Sequence, residues 1–338
     1  MNTSGMNKVA VIILNWNGDK LLREFLPSVI RNTNPELGKV IVVDNASTDD
    51  SVQVMRQEFP EVECICFDEN YGFAGGYNRA IQLIQADIVV LLNSDVEAAP
   101  GWLEPLVDLL DSEVGLAAVQ PKILAYRDKK RFEYAGASGG YIDRLGFPFC
   151  RGRILNVTEE DRGQYDDVKE VFWCSGAALC IRRDIYLQAG GLDERFFAHM
   201  EEIDLCWRIR NLEGKLKVQP QSVVYHLGGG SLPMNHPRKL FLNYRNNLLM
   251  LYKNLNPEEW KRLVWKRRFL DFVAMGMFLC KGEWKNVKAV IQAYREFGEM
   301  KKLYPESGNK RKDPCIFPGS LIFSYYFKGI RTFSRLWK

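Results

Sequence analysis

The chain has 338 residues, of which 46% are hydrophobic, 12% aromatic and 26% charged. That composition excludes a disordered chain, a collagen and a disulfide mini-protein, and allows one large domain or two modest ones. The formal net charge of +4 conceals an asymmetry: residues 1–235 carry 24 Lys+Arg against 34 Asp+Glu, and residues 236–338 carry 22 against 8, so an acidic body is followed by a basic tail suited to an anionic partner.

In chain order, residues 8–14 (KVAVIIL) form an apolar run closed by Asn15-Trp16-Asn17-Gly18, and residues 19–30 then show helical spacing through Leu21, Leu22, Phe25, Leu26 and Val29. The pattern repeats: a strand at 40–43 ended by Asp44 to Asp50, a helix at 51–59, a strand at 62–67 ended by residues 69–76, a helix containing 80–84, and a strand at 88–92 ended by Asn93-Ser94-Asp95. Near-continuous apolar strands alternating with helices predict a parallel α/β sheet, whose ligand sits at the carboxyl ends of the strands. Each polar cluster falls there. Residues 96–172 are less regular, with a helix expected near 102–110, a strand at 116–119 and short strands in loops beyond. A strand is expected at 173–181, a helix at 201–213, an extended segment at 217–226 and helices from residue 238 onward.

The eight cysteines show no CxxC and no paired framework. With a polar start at residues 1–8 that does not read as a signal peptide, they are expected to be reduced, mostly buried thiols of a cytoplasmic protein, possessing no used glycan acceptor at Asn45 or Asn156. No apolar run reaches the roughly 18–20 residues of a membrane span.

Four constellations can carry chemistry. Asp44, at a strand end, can accept a hydrogen bond from a ribose hydroxyl or a base N–H; its neighbours Ser47, Thr48, Asp49 and Asp50 equally suit a helix cap. Asp95 can ligate a hard divalent ion that bridges phosphates, although an Asn-Ser-Asp triplet alone also makes a turn. Glu201, Glu202 and Asp204 place three carboxylates in four residues, where mutual repulsion can raise one pKa to suit a general base. Acids also favour a helix N-terminus, and the i,i+4 spacing of Asp204 and Arg208 assigns Asp204 to structure. His226, before Leu227-Gly228-Gly229-Gly230-Ser231, is a metal ligand or a satisfied structural histidine. There is no GxxxxGK(S/T), no GxGxxG after the first strand and no GxSxG, which speaks against a P-loop NTPase, a dehydrogenase and an α/β-hydrolase.

Taken in order, Val11 to Gly18, Val42 to Asp49, Asn70 to Asn78, Leu91 to Asp95, Gly191 to Phe197, Glu201 to Arg208 and His226 resemble glycosyltransferase family 2, in its bacterial rhamnosyltransferase-like branch. The resemblance covers about residues 8–255. It implies a GT-A fold, that is, a Rossmann-like, mostly parallel sheet flanked by helices. It also implies a nucleotide-sugar donor, a divalent cation (Mg²⁺ or Mn²⁺) and inversion at the anomeric carbon. By the family pattern the donor is bound by Asp44 with Asn15, Asn17, Asn45, Asn70, Gly72, Asn78, Asn93 and Ser94. The metal is held by Asp95 and His226, with Asn93 standing where many members have Asp. Glu202 matches the catalytic base. Trp173, Gly176, His199 and Glu201 are placed near the acceptor by their proximity to the base motif.

The expected organisation is a catalytic domain over 1–235, with nucleotide-sugar binding at about 8–120 and the acceptor and base part at about 121–235, followed by a basic, aromatic-rich helical extension over 236–338. Trp260 to Leu270, Phe272 to Cys280 and Phe323 to Lys328 interleave Lys and Arg with large aromatics, a pattern suited to helices in a membrane interface, an ordinary helical cap or an oligomer contact. The leading reading is transfer of L-rhamnose from dTDP-rhamnose to a glycan or lipid-linked acceptor. A UDP-sugar donor and an inactive scaffold member are the alternatives; a nucleotidyltransferase would need a glycine- and arginine-rich opening loop that is missing. No nucleic-acid motif appears.

Overall fold

The structure is a computed structural model that describes residues 8–228, 236–305 and 313–337. The chain start at 1–7, most of the glycine turn after His226 (Gly229 to Ser231) and Lys338 lie outside the described residues.

The first half alternates as the sequence suggests: β1 (Val9–Asn15), α1 (Asp19–Asn32), β2 (Gly38–Asp44), α2 (Ser51–Glu58), β3 (Glu63–Cys66), α3 (Gly72–Leu83) and β4 (Ile88–Asn93). Next come β5 (Val96–Ala98), α4 (Glu104–Ser112), β6 (Leu116–Ala125) and β7 (Asp128–Phe132). The short strands β8 (Gly140–Asp143), β9 (Pro148–Cys150), β10 (Arg153–Ile154), β11 (Val157–Thr158) and β12 (Lys169–Glu170) follow. The chain continues with β13 (Ala178–Arg182), α5 (Arg183–Gln188), α6 (Glu201–Asn211) and β14 (Lys215–His226). The C-terminal part holds α7 (Pro237–Asn254), α8 (Pro257–Cys280), α9 (Trp284–Met300), β15 (Ile316–Phe317), α10 (Leu321–Tyr326) and α11 (Phe333–Leu336).

The main sheet has the order β12-β14-β6-β13-β4-β1-β2-β3, with β5 and β7 on its margin. The half built from β3, β2, β1 and β4 is parallel. β13 then enters antiparallel to both β4 and β6, and β6 pairs in parallel with β14. A smaller sheet, β11-β10-β9-β8-β15, is completed by β15 from the C-terminal part. The alternation of β1 explains the layering. Ala10 and Ile12 face a core that includes Ala74, Tyr77, Ala80 and Ile81 of α3. Val9, Val11 and Ile13 face the opposite core with Leu22, Leu26 and Val29 of α1 and Leu106 of α4. A strand covered on both faces shows no polar alternation, hence the unbroken apolar reading.

Register fixes the site. Asn15 pairs with Asp44 and Leu14 with Asn93, so these strand ends share one edge. Two expectations shift. The glycine-rich stretch at 72–76 is the first turn and a half of α3, not a loop. A Cβ on Gly76 would stand 2.7 Å from Leu14, so glycine lets the helix lie against β1. The strand expected at 173–181 begins only at Ala178, because the preceding residues turn away to other partners: Trp173 bridges to Gly140 and Ser175 N–H donates to Gln120 at 2.9 Å. All eight cysteines are free thiols; Cys150, Cys174, Cys180, Cys206 and Cys315 are buried.

Candidate active site

At the ends of β1 and β2, short polar side chains cross-brace two loops. Asn15 is fully buried and its Nδ2 donates to Asp44 Oδ2 (3.0 Å) and Ser47 Oγ (3.3 Å). Asp44 Oδ1 accepts from the Ser47 amide at 2.9 Å. Asn17 adopts φ +50°, and its Oδ1 accepts from the Thr48 amide at 2.7 Å. Asn15 Oδ1 is buried without a partner, and a Cβ on Gly18 would overlap it. An orphaned buried acceptor is costly unless something uses it. Asn45 extends the brace to the next loop: its Nδ2 donates to Asn70 Oδ1 (2.9 Å) and Gly72 O (3.0 Å), and its Oδ1 accepts from the Tyr71 amide. Gly72 has φ +69°, a conformation that favours glycine.

A second group lies at the end of β4. His226 ends β14 and pairs in register with Val96, next to Asp95. His226 Nε2 stands 3.1 Å from Asp95 Oδ1 and 3.4 Å from Asn93 Nδ2. Its Nδ1 faces Glu133 Oε2 at 3.4 Å, off the line of a hydrogen bond. Burial works against the imidazolium, but the contact with Asp95 and the charges of Asp95 and Glu133 outweigh it and push the His226 pKa up to about 10. Burial likewise raises the Asp95 carboxyl, yet His226 holds it below its ordinary value. The pocket is thus built to hold positive charge between carboxylates. A divalent ion would take the place of the His226 proton: a hard carboxylate oxygen and the neutral imidazole nitrogen converging from two strand ends suit such an ion. Among the described residues no group of three or more His, Cys, Asp or Glu could hold a metal ion.

The third group is the acid pair. Glu201 and Glu202 open α6, directly after Met200 at φ +73°. Burial, then the charge of Glu202, raises the Glu201 carboxyl well above its usual range; burial also raises Glu202. One oxygen of each is buried without a partner. Gly176 lies over Glu202: a Cβ there would be 3.5 Å from the Glu202 Cβ. The adjacent Ala177 O accepts from the Asn93 amide at 3.0 Å. The acid pair therefore lies beside the β4 edge that carries Asp95. Asp204, by contrast, is saturated by Arg208 (2.9 Å), Lys253 (2.8 Å) and Asn254 (2.9 Å), as its spacing from Arg208 suggests.

The profile of glycosyl transferase family 2 matches residues 10–186, more than half of the chain, including the strand ends that carry Asn15, Asp44 and Asp95. The chain belongs to glycosyltransferase family 2. An N-acetylglucosaminyl-diphospho-decaprenol L-rhamnosyltransferase of Mycobacterium tuberculosis is 26% identical over 259 residues, covering 71% of this chain and 83% of that protein. Among solved structures, Staphylococcus aureus TarS in complex with UDP-GlcNAc superposes with TM-score 0.56 at 16% identity, covering 86% of this chain and 80% of the other. A mannosyltransferase, PcManGT from Pyrobaculum calidifontis in complex with GDP-Man and Mn²⁺, gives TM-score 0.52 at 14% identity, covering 88% and 76%. The fold is GT-A, as the resemblance implies.

Within this glycosyltransferase the remaining residues fall as follows. Asn78 is spent on structure: its Oδ1 accepts from Tyr186 OH (2.7 Å) and the Leu192 amide (2.9 Å), and its Nδ2 donates to Leu192 O (2.8 Å). Trp173 is buried, its indole N–H donating to Tyr141 O at 3.0 Å. His199 is largely buried, with Nε2 unpartnered; burial, then the charge of Lys239, lowers its pKa to about 4 and keeps it neutral. Ser94 lies in the turn between β4 and β5. The sequence reading missed Glu133 beside His226 and Lys239 beside His199. Neither carries a motif: Glu133 directly follows β7, which pairs with β6, and Lys239 lies on α7.

Proposed function

We propose that this family 2 glycosyltransferase is an inverting, divalent-cation-dependent hexosyltransferase, moving L-rhamnose from dTDP-rhamnose to a hydroxyl of a glycan or lipid-linked glycan in cell-surface polysaccharide assembly. The observation that carries it is the Asp95–His226 pair at the end of β4, with the unpartnered buried Oε2 of Glu202 beside that sheet edge. The name of the mycobacterial relative supports the rhamnose donor and the lipid-linked acceptor.

Asp44 accepts hydrogen bonds from the donor's ribose or base, oriented by Asn15 and the Ser47 amide. Asp95 and His226 would hold Mg²⁺ or Mn²⁺, which when bound supplies electrostatic stabilisation to the leaving diphosphate. Glu202 takes the proton of the attacking acceptor hydroxyl, a contribution of about 10²–10⁴ in rate. Burial raises its proton affinity, the direction that favours a general base. A single base and direct attack give inversion.

The basic extension fits the face of an anionic inner membrane. On α8, Trp265, Phe269 and Phe272 are each more than 60% exposed on one helical stripe, flanked by exposed Lys261, Arg262 and Lys266. Phe323 and Phe327 continue the apolar patch, and Lys328 adds charge. Such a surface suits an interfacial helix. No described helix is long and apolar enough to cross a membrane.

The test is a thermal-shift panel of dTDP, UDP, GDP and CDP, each with and without Mn²⁺ or Mg²⁺, followed by product analysis with the matching nucleotide sugar. A nucleotide at about 100 times its Kd stabilises by ~2.7 kcal/mol. A metal-dependent shift for dTDP and an inverted rhamnoside product support the reading; a shift for UDP alone replaces the donor, and a retained configuration overturns the mechanism.

A further inference from the structure

The turn that delivers the acid pair is strained. After a short 3₁₀ turn at Glu194–Phe196, Phe197, His199 and Met200 all take positive φ, at 68°, 71° and 73°. Three side-chain-bearing residues in the left-handed region within four positions do not persist unless their surroundings impose it. The turn also leaves backbone carbonyls outside any helix or strand ladder, which need donors when buried.

Two neighbouring side chains of α7 supply them, beside the Ala198 amide that itself donates to Phe196 O at 2.8 Å. Asn246 of α7 is fully buried, and the two N–H of its Nδ2 are shared among Phe196 O (2.9 Å), Ala198 O (2.8 Å) and His199 O (2.8 Å). The orientation of the amide is set by Arg245, whose Nε donates to Asn246 Oδ1 at 2.9 Å; the amide nitrogen must therefore face the turn. Arg245 adds its own donors to Phe196 O (2.9 Å) and Arg195 O (3.4 Å), and pairs with Glu296 of α9 at 3.2 Å. The next residue, Asn247, is equally interior but points elsewhere, donating to Gly146 O at 2.8 Å.

We propose that Asn246 is a positioning residue for the catalytic base: by collecting three carbonyls of the 196–199 turn it holds the backbone that aims Glu202 at the acceptor hydroxyl. The C-terminal extension is then part of the catalytic apparatus through α7. The inference rests on Glu202 as the base, and it goes further by naming what fixes that base.

The experiment compares Asn246→Asp with Asn247→Asp in the full chain. Aspartate keeps the size of the side chain and the oxygen that Arg245 grips, but removes the N–H donors. Turnover is followed as nucleoside diphosphate release from dTDP-rhamnose, or from UDP-GlcNAc if UDP is the nucleotide that binds, with water or glycan as acceptor. Hydrogen exchange is read over residues 194–204. Asn246→Asp is expected to lower kcat at least tenfold with donor KM within threefold of wild type, and to speed exchange in that segment. Asn247→Asp is expected to keep kcat within threefold. Equal losses in both variants, or a wild-type kcat in Asn246→Asp, overturn the proposal. Should Asn246→Asp fail to melt cooperatively, Arg245→Lys takes its place; it frees the Asn246 amide to rotate, and an unchanged kcat there overturns the proposal as well. Glu202→Gln separates the two levels. If it retains turnover, the base assignment fails; if it is inactive while the two Asn variants behave alike, only the latch fails.

Discussion

The proposed donor edge and the proposed base turn solve the same problem in different ways. At the donor edge, Asn15, Asp44, Asn45 and Asn70 are fixed by one another, each reaching across to the loop of a neighbouring parallel strand. Strand register has already brought those loops together, so short side chains suffice. The base turn has no such neighbour in the sheet. It is held from outside by α7 through Arg245 and Asn246, by Lys253 on Asp193 and Asp204, and by Tyr304 OH on Asp193 at 2.8 Å. The proposed nucleotide edge is thus braced by its own strand-end loops, and the proposed base turn draws part of its support from the C-terminal helices. Damage to the first should appear in binding; damage to the second should appear in turnover and in stability.

The largest expected effect is on turnover. Glu202→Gln should lower kcat by about 10²–10⁴ while nucleotide diphosphate affinity, measured by calorimetry, stays near wild type; near-normal kcat would remove Glu202 as the base. Next comes Lys253→Met, which takes the shared cation from Asp193 and Asp204 but leaves Asp204 its bonds to Arg208 and Asn254 and Asp193 its bond to Tyr304, and should cost about 1.5–3 kcal/mol in urea unfolding. A loss below ~1 kcal/mol would show that the base turn does not need its outer support.

Asp44→Ala tests the other region. It removes a buried acceptor from Asn15 and from the nucleotide, and should weaken nucleotide diphosphate binding by about 1.5–3 kcal/mol, roughly ten- to a hundredfold, with little effect on vesicle binding. Unchanged affinity would take Asp44 out of the donor site.

A smaller effect appears with pH. Glu201 has a raised carboxyl in the fold and an ordinary value near 4.5 when unfolded. Above pH 4.5 the unfolded chain therefore releases a proton that the folded chain keeps, so this group subtracts stability as pH rises towards its folded value. Glu201→Gln should accordingly melt higher than wild type at pH 7, with the difference closing below pH 4.5. A constant difference across that range would mean that the pair is not linked to stability through its proton. The smallest effect is on the surface: Trp265→Ser with Phe269→Ser should change stability by less than ~0.5 kcal/mol per site yet reduce sedimentation with anionic vesicles. Equal sedimentation would discard the membrane face.

Much of the parallel half was legible because each β-branched run ends in a polar cluster and each cluster lies at a strand's carboxyl end. Asn15, Asp44 and Asn93 could be grouped from the sequence, and register placed them together. Asp204 was legible as structural from one helical spacing. The boundaries of α3 and β13 were not, because close packing of Gly76 on Leu14 and the Trp173–Gly140 bridge are tertiary events.

By itself, then, the sequence determined the alternating half, the family pattern and the positions of Asp44, Asp95, Glu202 and His226, since local propensity and strand-end chemistry repeat within short windows. Only the tertiary structure decided that Glu133 stands behind His226, that Asn78 and Trp173 are spent on internal hydrogen bonds, and that Asn246 grips the base turn. Those partners lie far apart along the chain, and a buried polar side chain looks the same in sequence whether it faces water, a substrate or a carbonyl. What separates these roles is which donors and acceptors the fold leaves unpaired beside it.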